Sequence, residues 1–358
     1  MPQTTAHHRR TALLVIVVAE LVVALLTGVG VVYAYEHIDR KISEGPPIDH
    51  AVTRPKAPLP TSEMNILVMG TDSRSCDGCG IDNESGEGGS DTTILLHVAD
   101  GRRSVYGISI PRDTLVDRPA CHNSDHDVPA ADDVQWNTAY ALGGPECTVE
   151  QVEEVTGVYI DSYITVDFGG FKDMVDAVDG VEVCIPEEVD DPVAHIHFDP
   201  GTQTLDGDQA LQYVRERHST ANSDLGRMKR QQAFIASMVA RVKSAGTLTR
   251  PDRLLSFASS LAGSLRTSPD LASAGKLVKL ASSVRHADLE NIKFVTAPTV
   301  DFPIGDPNWG RLQFTPDAAA LWEKVKHDEP LGKLGKGAIS GKNPNGDKGT
   351  AAENGLCS

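Results

Sequence analysis

The feature that most constrains this chain is the stretch from residue 11 to residue 35, TALLVIVVAELVVALLTGVGVVYAY, whose only charge is Glu20. As a helix rising about 1.5 Å per residue, it is long enough to cross a hydrocarbon layer of about 30 Å. It holds fourteen Leu, Ile and Val residues. Each favours insertion by roughly 0.3–0.6 kcal/mol near the bilayer centre, together more than the penalty of about 3 kcal/mol for one carboxylate. The segment is therefore expected to be an uncleaved anchor, because a signal peptide would have a shorter apolar region and a small-residue cleavage site. His7, His8, Arg9 and Arg10 precede it without any acid, whereas Glu36, Asp39, Arg40, Lys41 and Glu44 mix both signs behind it. The positive-inside rule then puts residues 1–10 in the cytoplasm and everything after Tyr35 outside, a single-pass protein of the cell membrane.

An extracytoplasmic setting agrees with six cysteines that form no paired zinc framework: Cys76, Cys79, Cys121, Cys147, Cys184 and Cys357. At least one disulfide is expected, most readily Cys121 with Cys147, which both lie in the loop-rich segment after the third strand. Residues 36–61 carry five prolines from Pro46 to Pro60 and read as an extended linker. Residues 62–330 form the folded unit. From Leu331 the chain is rich in Gly, Lys and Asn, which reads as a disordered, solvated tail over 331–358. A formal charge of −17 opposes a broad grip on nucleic acid, so a polyanionic partner would need a local basic cluster. No G-x-x-x-x-G-K-[ST] loop is present, which disfavours a nucleotide-dependent enzyme.

Within the folded unit, strands are expected at 65–70, 92–98, 104–110, 158–168, 181–184 and 291–296. Helices are expected after a capping box at Thr148–Gln151, over 170–178, and near 207–216, 225–243, 252–264 and 270–285. A last helix starts at Thr315-Pro316. The order predicts an α/β fold, a mixed central β-sheet flanked by helices on both faces. On the helix at 225–243, Met228, Ile235, Met238, Val239 and Val242 form the expected buried stripe.

Connectivity gathers charged residues at one sheet edge. If strands 65–70 and 92–98 pair antiparallel, Asp72 and Asp91 share one end, together with Arg74. The turn signal Ala99-Asp100-Gly101 sends the third strand back to deliver Arg112 and Asp113 there too. Two carboxylates beside arginines suit a hard Mg2+ ion bound with substrate phosphates. A second cluster, Arg215, Arg217, Arg227, Lys229 and Arg230 with only Glu216 and Asp224 against it, reverses the sign of the whole protein. Guanidinium groups there can fork onto phosphate oxygens. His195 and His197 alternate on a strand and read as exposed rather than as metal ligands.

Together, Asn65-Ile-Leu-Val-Met-Gly-Thr-Asp72-Ser-Arg74, Ser90-Asp91-Thr, Ser109-Ile-Pro-Arg112-Asp113, Asn137-Thr-Ala-Tyr140, Leu205-Asp-Gly-Asp-Gln-Ala-Leu211, Tyr213-Val-Arg-Glu-Arg-His218 and Asp224-Leu-Gly-Arg-Met-Lys-Arg-Gln-Gln232 resemble the motifs of the LytR-CpsA-Psr family, in the family's order. That resemblance implies a membrane-anchored phosphotransferase with an apolar tunnel for a polyprenyl chain; Phe168, Phe171, Met174, Val175 and Phe234 read equally as its lining or as ordinary core. It implies that Asp72 and Asp91 position Mg2+, that Arg112, Arg215, Arg217, Arg227 and Gln231 contact phosphates, and that Arg74 supports the site. The implied partners are a polyprenyl-pyrophosphate-linked glycan and a peptidoglycan acceptor. A sugar hydroxyl would attack the glycan-proximal phosphorus, and polyprenyl phosphate would leave. The rival readings are a polyprenyl-pyrophosphate phosphatase and a non-catalytic lipid- or polymer-binding regulator. One departure is visible: Gln135 stands where the family often has Lys.

Overall fold

The computed structural model describes residues 36–51, 63–71, 89–123, 126–191, 196–216, 223–244, 265–346 and 356–357, with scattered positions among 20–33 and 257–263. Asp72, Arg74, Cys76, Cys79, His195 and Arg217 lie outside the described residues, as does most of the helix expected at 252–264. The same holds for most of residues 11–35, and among the described residues no helix is long and apolar enough to cross a membrane.

Eight strands form the central sheet: β1 (Ser43–Glu44), β2 (Met64–Thr71), β3 (Ser90–Val98), β4 (Val105–Ile110), β5 (Ser162–Val166), β6 (Leu265–Thr267), β7 (Ile292–Thr296) and β8 (Ile339–Ser340). Their order is β1-β6-β5-β2-β3-β4-β7-β8. β2–β3 and β3–β4 are antiparallel, whereas β5 lies parallel to β2 and β7 parallel to β4, so the sheet is mixed as expected. Alternation along these strands divides the core between two faces. Leu67, Met69, Leu95 and Ile108 pack under α1 (Thr138–Thr156) and α6 (Pro316–Lys326) through Val149, Val152, Leu321 and Trp322.

The opposite face meets α4 (Ser223–Ser244) through Ala233 and Ala236, beside Val98, Val105 and Phe294. Phe234 points the other way, into a second core shared with α2 (Phe168–Asp176), α3 (Gly207–Arg215) and the ribbon of Val181–Ile185 with Gly201–Leu205. α4 is thus a middle layer buried on two faces. Its most deeply buried apolar positions are Ala233, Phe234 and Ala236; of the expected stripe Met228 is buried, while Ile235, Met238, Val239 and Val242 are only partly covered. A single-stripe reading underestimates a helix sandwiched between a sheet and a second layer.

One motif segment, Leu205–Leu211, proves to be architectural. Asp206 and Gln209 form a reciprocal capping box at the start of α3. Between them Gly207 approaches α2 so closely that a Cβ would lie 2.6 Å from the Lys172 carbonyl oxygen. The helix near Thr148 begins earlier than its capping signal suggested. The break is at Gly144 (φ 71°), followed by Pro145, and the Thr148 hydroxyl donates back to the Gly144 carbonyl oxygen (2.9 Å) instead of capping. Cys121 and Cys147 are bonded, as expected, tying the loop after β4 to α1.

The stretch from Leu331, expected as a solvated tail, belongs to the fold where it is described. Leu331 is buried in the main core, β8 covers the edge of β7, and Leu356 is buried beside α4 and β7. Cys357 is bonded to Cys184 in the ribbon, 173 residues earlier. A few isolated apolar residues suffice there, because a two-residue edge strand is held mainly by backbone hydrogen bonds and the terminal segment by one covalent link.

On α1, burial, reinforced by the charges of Asp49, Glu153 and Glu146, pushes the Glu150 carboxyl up to about 7 against the opposing His122 N–H. The folded chain therefore keeps a proton that the unfolded chain has released, so stability falls as pH rises from the usual carboxylate range to about 7 and then levels off. Glu150→Gln is expected to stabilise by about 1 kcal/mol at pH 8, after allowance for solvent screening, and to be neutral near pH 4. Urea unfolding at the two pH values checks this.

Candidate functional site

The strand directions bring the ends of β2 and β4 and the start of β3 together as the sequence implied. Thr71 at the end of β2 pairs with Ser90, whereas Gly70 pairs with Thr92, so Asp91 is the extra residue of a bulge at that strand end. β4 returns alongside β3 and delivers Pro111, Arg112 and Asp113 to the same end. A cleft opens there, lined by Thr92, Ser109, Arg112, Asp113, Arg227, Gln231 and Leu312.

Asp113 organises one wall. Its Oδ2 accepts from Arg112 Nε (3.3 Å), and its Oδ1 accepts from Gln135 Nε2 (2.5 Å) and Arg311 Nη1 (3.0 Å). The carboxylate thus holds two guanidinium groups at the cleft and is not a bystander to Arg112. Gln135 makes this contact as a neutral amide, and a cation still stands beside Asp113 because Arg311 arrives from the hairpin of Thr299–Asp301 with Leu312–Phe314. Neither Asp113 nor Arg311 was among the expected site residues. Asp113 was legible beside Arg112, but nothing local marks Arg311, 198 residues further on.

The Asn137-Thr-Ala-Tyr140 segment braces the same loop. Asn137 N–H donates to the Arg112 carbonyl oxygen (3.3 Å), and Trp136 N–H to that of Thr114 (2.9 Å). Burial pushes the Tyr140 hydroxyl up to about 12, so it stays protonated while hydrogen-bonded to the side chain of Thr71, the residue before Asp72.

The opposite wall comes from α4. Arg227 is only 3% exposed yet lines the cleft. Gln231, one turn on, accepts from the Thr92 hydroxyl (3.3 Å) and donates to the Val214 carbonyl oxygen (3.2 Å), linking β3 to the end of α3. The next residue, Arg215, lies 4.5 Å from the centroid of the Phe168 ring. A cation therefore stands where the polar cleft approaches the apolar second core, in which Phe234 and Val175 are buried and Phe168 and Phe171 partly so, with Met174 buried elsewhere on α2. Arg230, counted with the basic cluster in the sequence, is turned away. It pairs with Glu216 at 3.1 Å, both side chains nearly fully buried. Gln232 Nε2 donates to the Ser109 and Thr296 hydroxyls (2.9 and 3.0 Å), fixing α4 against β4 and β7.

Arg112, Arg227 and Gln231 are thus brought into one cleft, with Arg215 beside it, while the side chains of Asp72, Arg74, Asp91 and Arg217 lie outside what is described. The arrangement suits an anionic group that carries an apolar chain.

Comparison with known proteins agrees with this architecture. The LytR_cpsA_psr family model matches residues 32–326. LcpB and LcpA of Corynebacterium glutamicum are 37% identical over 209 residues and 31% identical over 284 residues, covering 57% and 71% of this chain. The chain spans about half the length of these two relatives, 48% and 53%. The polyisoprenyl-teichoic acid–peptidoglycan teichoic acid transferase TagU of Oceanobacillus iheyensis is 31% identical, over 66% of this chain and 71% of TagU. The crystal structure of Bacillus subtilis TagV superposes with a TM-score of 0.57 at 28% identity, covering 75% of this chain and 96% of TagV. With the family model spanning seven of the eight strands of the sheet and both helical layers, the chain belongs to the LytR_cpsA_psr family.

Proposed function

We propose that this protein transfers a glycopolymer from a polyprenyl-pyrophosphate carrier to a hydroxyl of a peptidoglycan sugar, acting outside the membrane in which residues 11–35 anchor it. The observation that carries the reading is the junction at Arg215. A cleft lined by Arg112, Arg227 and Gln231 runs, through the Gln231–Val214 bond, to a guanidinium standing over the apolar second core. A diphosphate with a long hydrocarbon tail presents that sequence of chemistries. The names of the relatives, cell wall biosynthesis protein and teichoic acid transferase, support the same class of reaction.

In this reading the acceptor hydroxyl oxygen bonds to the glycan-proximal phosphorus, the bridging P–O bond breaks, and polyprenyl phosphate leaves with the electron pair. Where one of Asp72 and Asp91 serves as general base instead of metal ligand, it takes the hydroxyl proton; otherwise the proton passes to solvent. Arg112 and Arg227 hold phosphate oxygens, and buried, fixed donors of this kind act mainly by stabilising charge that grows in the transition state. Arg215 and Arg217 complete the phosphate contacts and Arg74 supports them. Among the described residues no group of three or more His, Cys, Asp or Glu could hold a metal, and Asp113 is already engaged by two arginines and Gln135. The strand register brings the backbone of Asp91 beside that of Thr71, the residue before Asp72. These two carboxylates are the donors that would hold Mg2+, which would neutralise pyrophosphate oxygens.

Arg112→Ala is expected to lower turnover by about 100-fold or more while leaving the melting temperature unchanged. The deciding assay uses a polyprenyl-pyrophosphate oligosaccharide with and without peptidoglycan. Sugar transfer that requires the acceptor supports the transferase, phosphate release at equal rate in water alone would make the protein a phosphatase, and no turnover under either condition would leave a binding protein. Turnover that persists in chelator, or in Asp72→Asn and Asp91→Asn, would remove the metal from the scheme.

A further inference from the structure

Three features converge on the cleft end of the sheet. β7 runs parallel to β4 and so ends where the cleft opens, and the hairpin of Thr299–Asp301 with Leu312–Phe314 springs from it. The tip of that hairpin carries two bare apolar side chains beside Asp306 and Asn308: Ile304 is 90% exposed and Trp309 64%. At the far edge of the sheet, β1 runs parallel to β6, which begins beside Val166 at the cleft end of β5. The chain therefore reaches β1 from the cleft end, coming from residues 11–35. The described residues of that segment are helical, with Leu25, Val29, Val32 and Tyr33 all exposed.

We infer that the tip of this hairpin docks into the surface of the bilayer, with Trp309 and Ile304 seated among the lipid headgroups as a second membrane contact. The inference rests on the reading of residues 11–35 as an anchor. Six strand spacings separate β1 from β7, which places the two contacts about 30 Å apart on either side of the cleft. One tether leaves a domain free to rock. Two fix its tilt, and with it the direction in which the cleft faces a lipid-borne substrate.

The tip is built for an apolar surface. Pro303 and Pro307 have no N–H, and the amides of Phe302, Asp306, Asn308, Trp309 and Arg311 are satisfied within the turn. Asp306 N–H donates to the Pro303 carbonyl oxygen (3.0 Å), Trp309 N–H to that of Asp306 (3.0 Å) and Phe302 N–H to that of Arg311 (3.1 Å). Backbone groups satisfied internally can enter the headgroup region at little cost, and a Trp ring with one polar edge is suited to that depth. The stem is tied to the site, since Leu312 N–H donates to the Asp113 carbonyl oxygen (3.1 Å) and Arg311 to its carboxylate. A sugar platform would account for Trp309 but gives no reason for a bare Ile304 beside it.

The test uses full-length protein in vesicles of phosphatidylethanolamine and phosphatidylglycerol, with plain or acyl-brominated chains, because bromine quenches tryptophan only at short range. The chain has three tryptophans, and Trp136 and Trp322 are buried in the core and form the background. Wild-type emission is expected to drop in brominated vesicles, and the drop should vanish in Trp309→Phe. Equal quenching of wild type and Trp309→Phe would overturn the inference, as would Trp309 emission that answers to soluble peptidoglycan fragments and not to brominated lipid. Ile304→Ser combined with Trp309→Ser should slow transfer from a long-chain carrier in vesicles while sparing a short-chain analogue in detergent, and equal slowing of both would count against it. Quenching requires no turnover, so failure of the transferase reading would leave this measurement intact.

Discussion

Replacing Cys184 and Cys357 together by Ala is expected to cost about 5 kcal/mol of stability, the chain-entropy value for so long a closed loop. The bond links residues 173 apart, so its loss frees a large part of the unfolded chain. It also releases the segment that seats Leu356 beside Ala236 and Phe294. Urea unfolding of the double variant under oxidising conditions measures the loss directly, with a double Cys121→Ala, Cys147→Ala variant as the shorter-loop comparison, expected to lose roughly 3 kcal/mol. A midpoint unmoved by the first pair would mean that this bond contributes nothing to holding the C-terminal segment.

Arg230→Met is expected to destabilise by about 3–5 kcal/mol, because it leaves the Glu216 carboxylate buried without its cation. The pair is nearly fully covered, with Arg230 Nη2 3.1 Å from Glu216 Oε2 and donating also to the Glu216 carbonyl oxygen. The double variant Arg230→Met, Glu216→Met should recover most of the loss, since two apolar side chains of similar volume carry no desolvation cost. Both residues sit inside motifs that also carry phosphate-binding candidates, so the split between readouts is diagnostic. Changes at Arg230 should appear in the unfolding midpoint, and changes at Arg112 in turnover. Loss of turnover at unchanged stability in Arg230→Met would assign this arginine to the substrate.

The sheet and the gathering of loops at its end were legible because they follow from local signals: alternation marks the strands, Ala99-Asp100-Gly101 marks the reversal, and direction does the rest. Cys121 with Cys147 was legible for a similar reason, both residues lying in one stretch between two elements. What escaped is long-range or depends on an exact partner. Arg311 reaches Asp113 from the far end of the domain, and its neighbours Gly310 and Leu312 announce nothing. Arg230 and Arg227 are three residues apart on one helix, and only packing decides that one faces Glu216 and the other the cleft. The Thr148 signal failed because a backbone break at Gly144 outweighs a side-chain cap. The stretch after Leu331 was misread because composition averages over it, whereas its attachment depends on Leu331, Ile339, Leu356 and one sulfur bridge.

The two rims of the sheet, β1 and β8, are each two residues long and come from positions 43–44 and 339–340. During synthesis the first rim is available early, but the amides and carbonyls of β7 have no outer neighbour until residue 340 has been made. An open strand of that kind can recruit the matching strand of another nascent molecule. The danger of mispairing therefore lasts until the last stretch arrives, and truncation just before Ile339 should yield a protein that aggregates while keeping every residue of its cleft.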